Sequence, residues 1–310
     1  MTQISIILPV YNEEANISEV YKRVTASLAP LNKSFEIVFI NDGSHDGTHE
    51  AISHLVKKDS HVKLINFTRN YGHQSAVTAG LDHVTGEYIA ILDADLQDPP
   101  EVLPQFFAQL DKGYDVVYAI RQNRKEGFIK KFAYSTFYRL LKMVSSIDIP
   151  LDSGDFCVMR LRVAKTMQTL PERNRFVRGI RSWVGYKQIG LAYDRNERSR
   201  GESKYTFSKL MQLAIDGILS FSYIPLRIMT FGGLFAFILS IVGIGVALYI
   251  RLFTKMFVPG FATTIILLLF SGGIIMLGLG IIGEYIARIY DEVKQRPPYI
   301  IESLQGFQKK

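Results

Sequence analysis

Two aspartates one residue apart, Asp93 and Asp95, stand where an apolar run stops, in the segment EYIAILDADLQDPP over Glu87–Pro100. Tyr88–Leu92 reads as a buried strand. In open α/β sheets, ligands bind just beyond the carboxyl ends of the strands. Two carboxylates placed there cannot both turn into the core, since they would repel each other and lose hydration. A divalent cation removes both costs, because hard cations take carboxylate oxygens and bridge to substrate phosphates. Asp93-Ala94-Asp95 is therefore a candidate metal–diphosphate site. Taken alone, the tripeptide also suits a solvated turn or a helix N-cap ahead of Pro99 and Pro100, so the surrounding elements must decide.

Those elements alternate. Strands are expected at Ile4–Leu8, Glu36–Ile40, Val62–Phe67, Tyr88–Leu92 and Asp115–Tyr118. Helices are expected at Glu14–Leu28, Gly47–Lys57, Gln74–Val84 and Glu101–Leu110. Apolar strands joined by helices imply a doubly wound, mostly parallel α/β sheet. Pro9-Val10-Tyr11-Asn12-Glu13 then ends the first strand and Asn41-Asp42-Gly43-Ser44 the second, on the same edge as Asp93 and Asp95. Tyr11 offers a face for a nucleobase, and Asp42 an acceptor for a base N–H or a ribose hydroxyl. Each motif alone fits a turn or an N-cap. A ligand crevice needs several loops on one edge, which is what their convergence supplies.

The chain has 310 residues, enough for one large domain and an appendage. Mean hydropathy is +0.12, high for a soluble enzyme. The excess lies in two charge-free runs, Ile228–Ile250 and Phe257–Gly283, each longer than the roughly 20 residues that cross a bilayer. The expected organisation is a catalytic domain over 1–205, an interfacial linker over 206–227, spans at about 228–250 and 258–283, and a tail over 284–310. Only Arg251 and Lys255 are basic in the connection. Lys204, Lys209 and Arg227 precede the hairpin, and Arg288, Lys294, Arg296, Lys309 and Lys310 follow it. Basic residues collect on the cytoplasmic side, which puts the catalytic part and the tail there and makes the chain a multi-pass protein of the cell membrane. The start MTQISIILPVYNEE turns polar too soon for a signal peptide. A single cysteine, Cys157, excludes an internal disulfide and fits a reducing compartment. The net charge of +7 matches anionic lipid and phosphorylated substrates, without need of nucleic acid. Gly127–Met143 and Thr206–Phe221 carry aromatic and basic residues at helical spacing. They suit either a surface helix or one lying in the membrane interface.

PVYNEE, NDGSHDGT and DADLQDPP, in this order, resemble the family 2 glycosyltransferases with the GT-A fold. Asn70-Tyr71-Gly72-His73-Gln74, Ser153-Gly154-Asp155-Phe156 and Arg198-Ser199-Arg200-Gly201-Glu202-Ser203-Lys204 look like the polyprenyl-phosphate hexose synthase branch. That branch contains dolichol-phosphate mannose synthases and bacterial bactoprenol-phosphate glucosyltransferases. The C-terminal stretch ending in GEYIARIYDEVKQRPPY looks like the bacterial members, and the similarity covers about residues 3–300. The resemblance implies that Asp93 and Asp95, helped by Gln97, hold Mg²⁺ or Mn²⁺ on a diphosphate. It implies that Pro9, Tyr11, Glu13 and Asp42 hold the nucleoside. Asp155 would lie close to the reacting carbon, and Arg121, Arg198, Arg200 and Lys204 would form a cationic clamp. The Q-x-x-R-W motif of the processive polysaccharide synthases is absent, since Trp183 sits in Arg181-Ser182-Trp183. That argues against a polymerase.

The chemistry follows from charge. An acceptor phosphate monoester, with a second pKa near 6, is mostly dianionic at neutral pH and already a nucleophile. The difficulty is to bring it against the diphosphate of a nucleotide sugar. Arginine, lysine and a divalent cation lower that repulsion. Removing one such group costs on the order of 3 kcal/mol of barrier, about a hundredfold in rate. A single displacement inverts the anomeric carbon. The expected activity is transfer of a hexose, UDP-glucose being the favoured donor, to a polyprenyl phosphate such as undecaprenyl phosphate. Use of GDP-mannose, another lipid acceptor, a catalytically silent scaffold and a homo-oligomer stay open. So does the role of Asp155, as a base or as an orienting group.

Overall fold

The computed structural model describes residues 2–122, 153–173, 175–194, 224–253 and 260–307. β1 (Ile4–Val10), β2 (Phe35–Asn41), β3 (Val62–Phe67) and β4 (Tyr88–Ile91) alternate with α1 (Glu14–Leu28), α2 (Thr48–Lys58) and α3 (His73–His83). α4 (Leu103–Asp111), β5 (Val116–Gln122), β6 (Ser153–Arg160), α5 (Leu161–Thr169), α6 (Val177–Trp183) and β7 (Gln188–Asp194) follow. Two long helices, α7 (Ile224–Phe253) and α8 (Phe261–Lys294), and a last strand, β8 (Ile301–Gln305), end the order.

The strands make one sheet in the order β7-β5-β6-β4-β1-β2-β3-β8. β1 pairs in parallel with β2 and β4, β2 with β3, and β5 with β7. β6 runs antiparallel between β4 and β5, and β8 antiparallel along β3. The alternation of β1 explains the two layers. Ile4, Ile6 and Leu8 belong to one core with α1, α2 and α4, while Ile7 faces the other with α3, α5 and α6. Gly80 lets α3 lie close on β1: a Cβ there would stand 2.4 Å from Ile7 Cγ2.

The chain winds outward from β1 through β2 to β3, then crosses back to β4 on the other side of β1. The β1–β4 ladder ends at Ile7 and Ile91. Pro9, which has no N–H to give, falls just past that point while still paired with Ile40 of β2. The ladder stops there, at the switch in strand order, the place where open α/β sheets bind their ligands.

Two expectations change at the C-terminus. The second apolar helix runs on to Lys294, beyond the end of its charge-free run, and Ile301–Gln305 is a strand within the same eight-stranded sheet. The physical reason is that the partner of β8, β3, is a sheet edge, and pairing there satisfies its open backbone groups. Among the described residues, Phe270–Lys294 is the one helical stretch long and apolar enough to cross a membrane; Ile228–Gly243 is a shorter apolar one. Large apolar side chains point outward along both α7 and α8, including Phe231, Leu252, Leu268 and Met276. The helices meet where Gly278 faces Met229, at which a Cβ would lie 2.9 Å from the methionine Cε. The connection over 254–259, and the aromatic and basic segments Gly127–Met143 and Thr206–Phe221, lie outside the described residues.

Candidate active site

Four loops meet over the crevice. The loops after β1 and β2 are zipped together: Asn12 N–H donates to Ser44 Oγ (2.9 Å) and Asn12 Oδ1 accepts the His45 N–H (2.8 Å). Asn12 holds a left-handed backbone, φ 53°, to allow this. Glu13 N–H donates to Thr48 Oγ1, and Glu13 Oε2 accepts from Asn16 (2.7 Å). Tyr11 is half-buried, its ring edge-on to His45 at 6.4 Å. Gly43, at φ 67°, brings the β2 loop against the backbone of Arg69, where a Cβ would lie 2.4 Å from the Arg69 carbonyl carbon.

Asp42 is buried, 3% exposed. It accepts the N–H groups of Tyr71 (2.7 Å) and Gly72 (2.9 Å), fixing the β3–α3 loop just before His73. Burial raises its carboxyl above the usual range, against the pull of those two amides. Sequence reasoning gave Asp42 a nucleoside contact; the structure commits both its oxygens to this loop, so any nucleoside contact adds to those bonds.

Asp93 follows β4, and Ala94 is buried beside it. Asp95 Oδ1 accepts the Gln97 N–H (3.1 Å), a tight turn in which Leu96 adopts φ 59° and buries its side chain. Asp98 accepts the Tyr193 hydroxyl from β7, tying the loop to the sheet. The antiparallel register pairs Ile91 with Cys157. Continued along both strands, it sets Asp93 level with Asp155 of β6.

His73 joins the two acids. Its Nε2 donates to Asp93 Oδ1 (2.9 Å) and its Nδ1 lies 3.8 Å from Asp155 Oδ2. Burial works against its charge, but the bond to Asp93 and the two negative charges push its pKa up to about 9. Asp155 is further held by Arg178, whose Nε and Nη2 both lie 3.3 Å from Oδ1, and by Gln74 Nε2 at 3.5 Å from Oδ2. Burial alone would raise the Asp155 carboxyl; the charges of Arg178 and His73 outweigh it and hold the group well below the usual carboxylate range. Arg181, 1% exposed, lies over the Tyr118 ring and adds its charge to the same field.

The structure thus brings together Pro9, Tyr11, Glu13, Asp42, Asp93, Ala94, Asp95, Gln97 and Asp155 from the sequence reading. Arg121 is the last but one residue of β5, toward the same edge, in register with Tyr193. Arg198, Arg200 and Lys204 lie outside the described residues. Sequence reasoning missed the roles of His73, Gln74, Arg178 and Arg181. Asn70–Gln74 stood out only as a motif, and nothing local marks Arg178 as the partner of Asp155.

Among the described residues, no three His, Cys, Asp or Glu side chains converge into a metal cage. The donor chemistry nevertheless fits Mg²⁺ or Mn²⁺: Asp93 and Asp95 offer oxygen ligands from a half-open loop. A hard cation of this kind keeps several positions for water and substrate phosphates.

The description Glycosyl transferase family 2 matches residues 5–167 of the chain. The chain is 44% identical over 309 residues to the "Uncharacterized glycosyltransferase YkcC" of Bacillus subtilis (strain 168), covering 99% of this chain and 96% of that protein. It is 42% identical over 305 residues to the "Prophage bactoprenol glucosyl transferase homolog" of Escherichia coli (strain K12), covering 98% and 99%. The glucosyl-3-phosphoglycerate synthase of Mycobacterium tuberculosis, solved with Mn²⁺, UDP and glucosyl-3-phosphoglycerate, aligns with a TM-score of 0.45 at 17% identity, over 70% of this chain and 78% of that one.

Proposed function

The chain belongs to glycosyl transferase family 2, and from that premise we propose that it moves glucose from UDP-glucose to a polyprenyl phosphate at a membrane surface. The observation that carries this reading is the near full-length identity of 42% to a bactoprenol glucosyl transferase homolog, together with the paired acids of the crevice. The apolar helix at Phe270–Lys294 supports an acceptor that lives in the bilayer.

In this reading the uridine lies against Tyr11, with Glu13 and Asp42 shaping the loops around it beside Pro9. Asp93 and Asp95, with Gln97, would hold Mg²⁺ or Mn²⁺, which supplies positive charge to the diphosphate as it leaves. Arg121, Arg198, Arg200 and Lys204 draw the acceptor phosphate toward the donor against charge repulsion. A phosphate oxygen of the acceptor attacks the anomeric carbon. The bond from that carbon to the diphosphate breaks, and UDP departs with the electron pair. Inversion turns an α-linked donor into a β-linked product. The dianionic acceptor needs no proton removed. The hairpin of α7 and α8 would span the membrane twice, with the catalytic sheet on the cytoplasmic side.

The experiment is a donor panel of UDP- and GDP-sugars, assayed on purified full-length protein with undecaprenyl phosphate and with diacylglycerol. β-Glucosyl undecaprenyl phosphate from UDP-glucose is expected. Product from GDP-mannose alone, transfer only to diacylglycerol, or no transfer with any donor would overturn the proposal.

A further inference from the structure

Gln74 and Arg178 surround Asp155 in a way that the reaction itself does not demand. Gln74 Oε1 accepts the backbone N–H of Val177 at 2.8 Å. With its carbonyl end fixed, only its NH₂ end can turn toward Asp155, where it lies 3.5 Å from Oδ2. Arg178, the next residue of α6, sends Nε and Nη2 to the other oxygen at 3.3 Å each. The first turn of α6 therefore sets both partners of Asp155, one through the backbone of Val177 and one through the side chain of Arg178. His73, from the start of α3, closes a third side.

We infer that Gln74 and Arg178 are positioning residues that hold Asp155 as a fixed hydrogen-bond acceptor, so that it orients a hydroxyl of the donor sugar and selects the hexose rather than taking up a proton. Gln74 and Arg178 donate to Asp155 and His73 faces it at 3.8 Å, so the carboxylate is surrounded as an anion. A general base works best with a proton affinity matched to the operating pH, which this setting opposes. The Asp155 side chain is 14% exposed, which leaves it within reach of one incoming hydroxyl. A buried acceptor fixed this way also discriminates. A site built to bond a hydroxyl rejects an analogue that lacks it strongly, because the site's polar group is left unpaired. The inference rests on the proposed sugar transfer and adds to it the means by which the hexose is chosen.

The test uses full-length protein in detergent with UDP-glucose, its deoxy and epimeric analogues, and undecaprenyl phosphate. Arg178→Met is expected to lower kcat by about a hundredfold while donor KM stays within about threefold, and Arg178→Lys to recover part of it. The preference for glucose over its worst analogue should shrink in Arg178→Met and in Gln74→Met. Asp155→Asn, whose amide oxygen still accepts, should outperform Asp155→Ala, and added formate or azide should not rescue Asp155→Ala. Thermal unfolding is followed for each variant; if Arg178→Met does not fold, Gln74→Met carries the kinetic test. Rescue of Asp155→Ala by small bases would overturn the inference. So would a tenfold rise in KM for either substrate at unchanged kcat in Arg178→Met, or an unaltered sugar preference. A wild-type protein that fails to transfer glucose to undecaprenyl phosphate would overturn the functional reading itself, and the inference with it. Active wild type with contrary variants sinks the inference alone.

Discussion

His73 places Nε2 2.9 Å from Asp93 Oδ1, so the acid proposed to hold a cation already shares one oxygen with a charged imidazole. A cation held by Asp93 and Asp95 would need the charge of both carboxylates. Asp93→Asn and Asp95→Asn are expected to abolish transfer while the protein stays folded, and EDTA to silence wild type until Mg²⁺ or Mn²⁺ is restored. Wild-type turnover that survives exhaustive EDTA treatment, with both variants active, removes the metal from the reaction.

Asp155 sets an acid limit. Its carboxyl lies below the usual range in the folded protein, so it binds a proton less readily than in the unfolded chain, where the value is about 3.9. Its contribution to stability is complete above about pH 4 and is lost as the pH falls from there toward the lower folded value. Asp155→Asn should unfold at a lower temperature than wild type at pH 7. The gap should narrow below about pH 4. A gap that widens on acidification contradicts the charge assignment.

The last strand is joined to the site loops by a chain of side-chain bonds. Glu302 accepts from Asn66 (2.6 Å), Asn66 Oδ1 accepts from Asn41 (2.7 Å), and Asn41 Oδ1 accepts from Ser44, which holds the Asn12 N–H. Glu302→Ala leaves the buried Asn66 amide without that acceptor, at a cost of about 1–3 kcal/mol. Faster amide exchange at Asn12 and Ser44 is expected alongside a lower unfolding temperature. Exchange that rises only in β8 would show that the chain of bonds ends at the strand.

Topology is open to labelling because the native cysteine, Cys157, is buried. A cysteine replacing Lys255 should react with an impermeant thiol reagent on intact cells, and one replacing Lys310 should not. The reverse pattern places the catalytic sheet outside.

The first half of the fold was open to reading because each strand there is a short apolar run between helices. β3 and α1 match their expected limits, and β1 and α3 differ by at most two residues. β6 was not read as a strand, because its place between β4 and β5 depends on partners distant in sequence. β8 was hidden for the same reason, five residues of weak alternation whose partner is β3. α8 outran its expected end because Glu284–Lys294 keeps helical form while regaining charge. In the site, Asp93 and Asp95 stand out as acids at the end of an apolar run, and Asp155 through the resemblance carried by Ser153–Phe156. Arg178 does not, because only the packing of α6 against β6 makes it their neighbour.

The place of β8 also sets the order in which the molecule can be finished. Asn66 and Glu302 are 236 residues apart, a stretch that a ribosome needs roughly 12–50 s to make. Both apolar helices emerge within that interval. Until the last strand arrives, β3 is an open edge, able to recruit strands from other nascent chains. β3 therefore gains its outer partner only after α7 and α8 have left the ribosome. A chain halted before β8 keeps the outer side of β3 unpaired as well as the exposed apolar faces of α7 and α8.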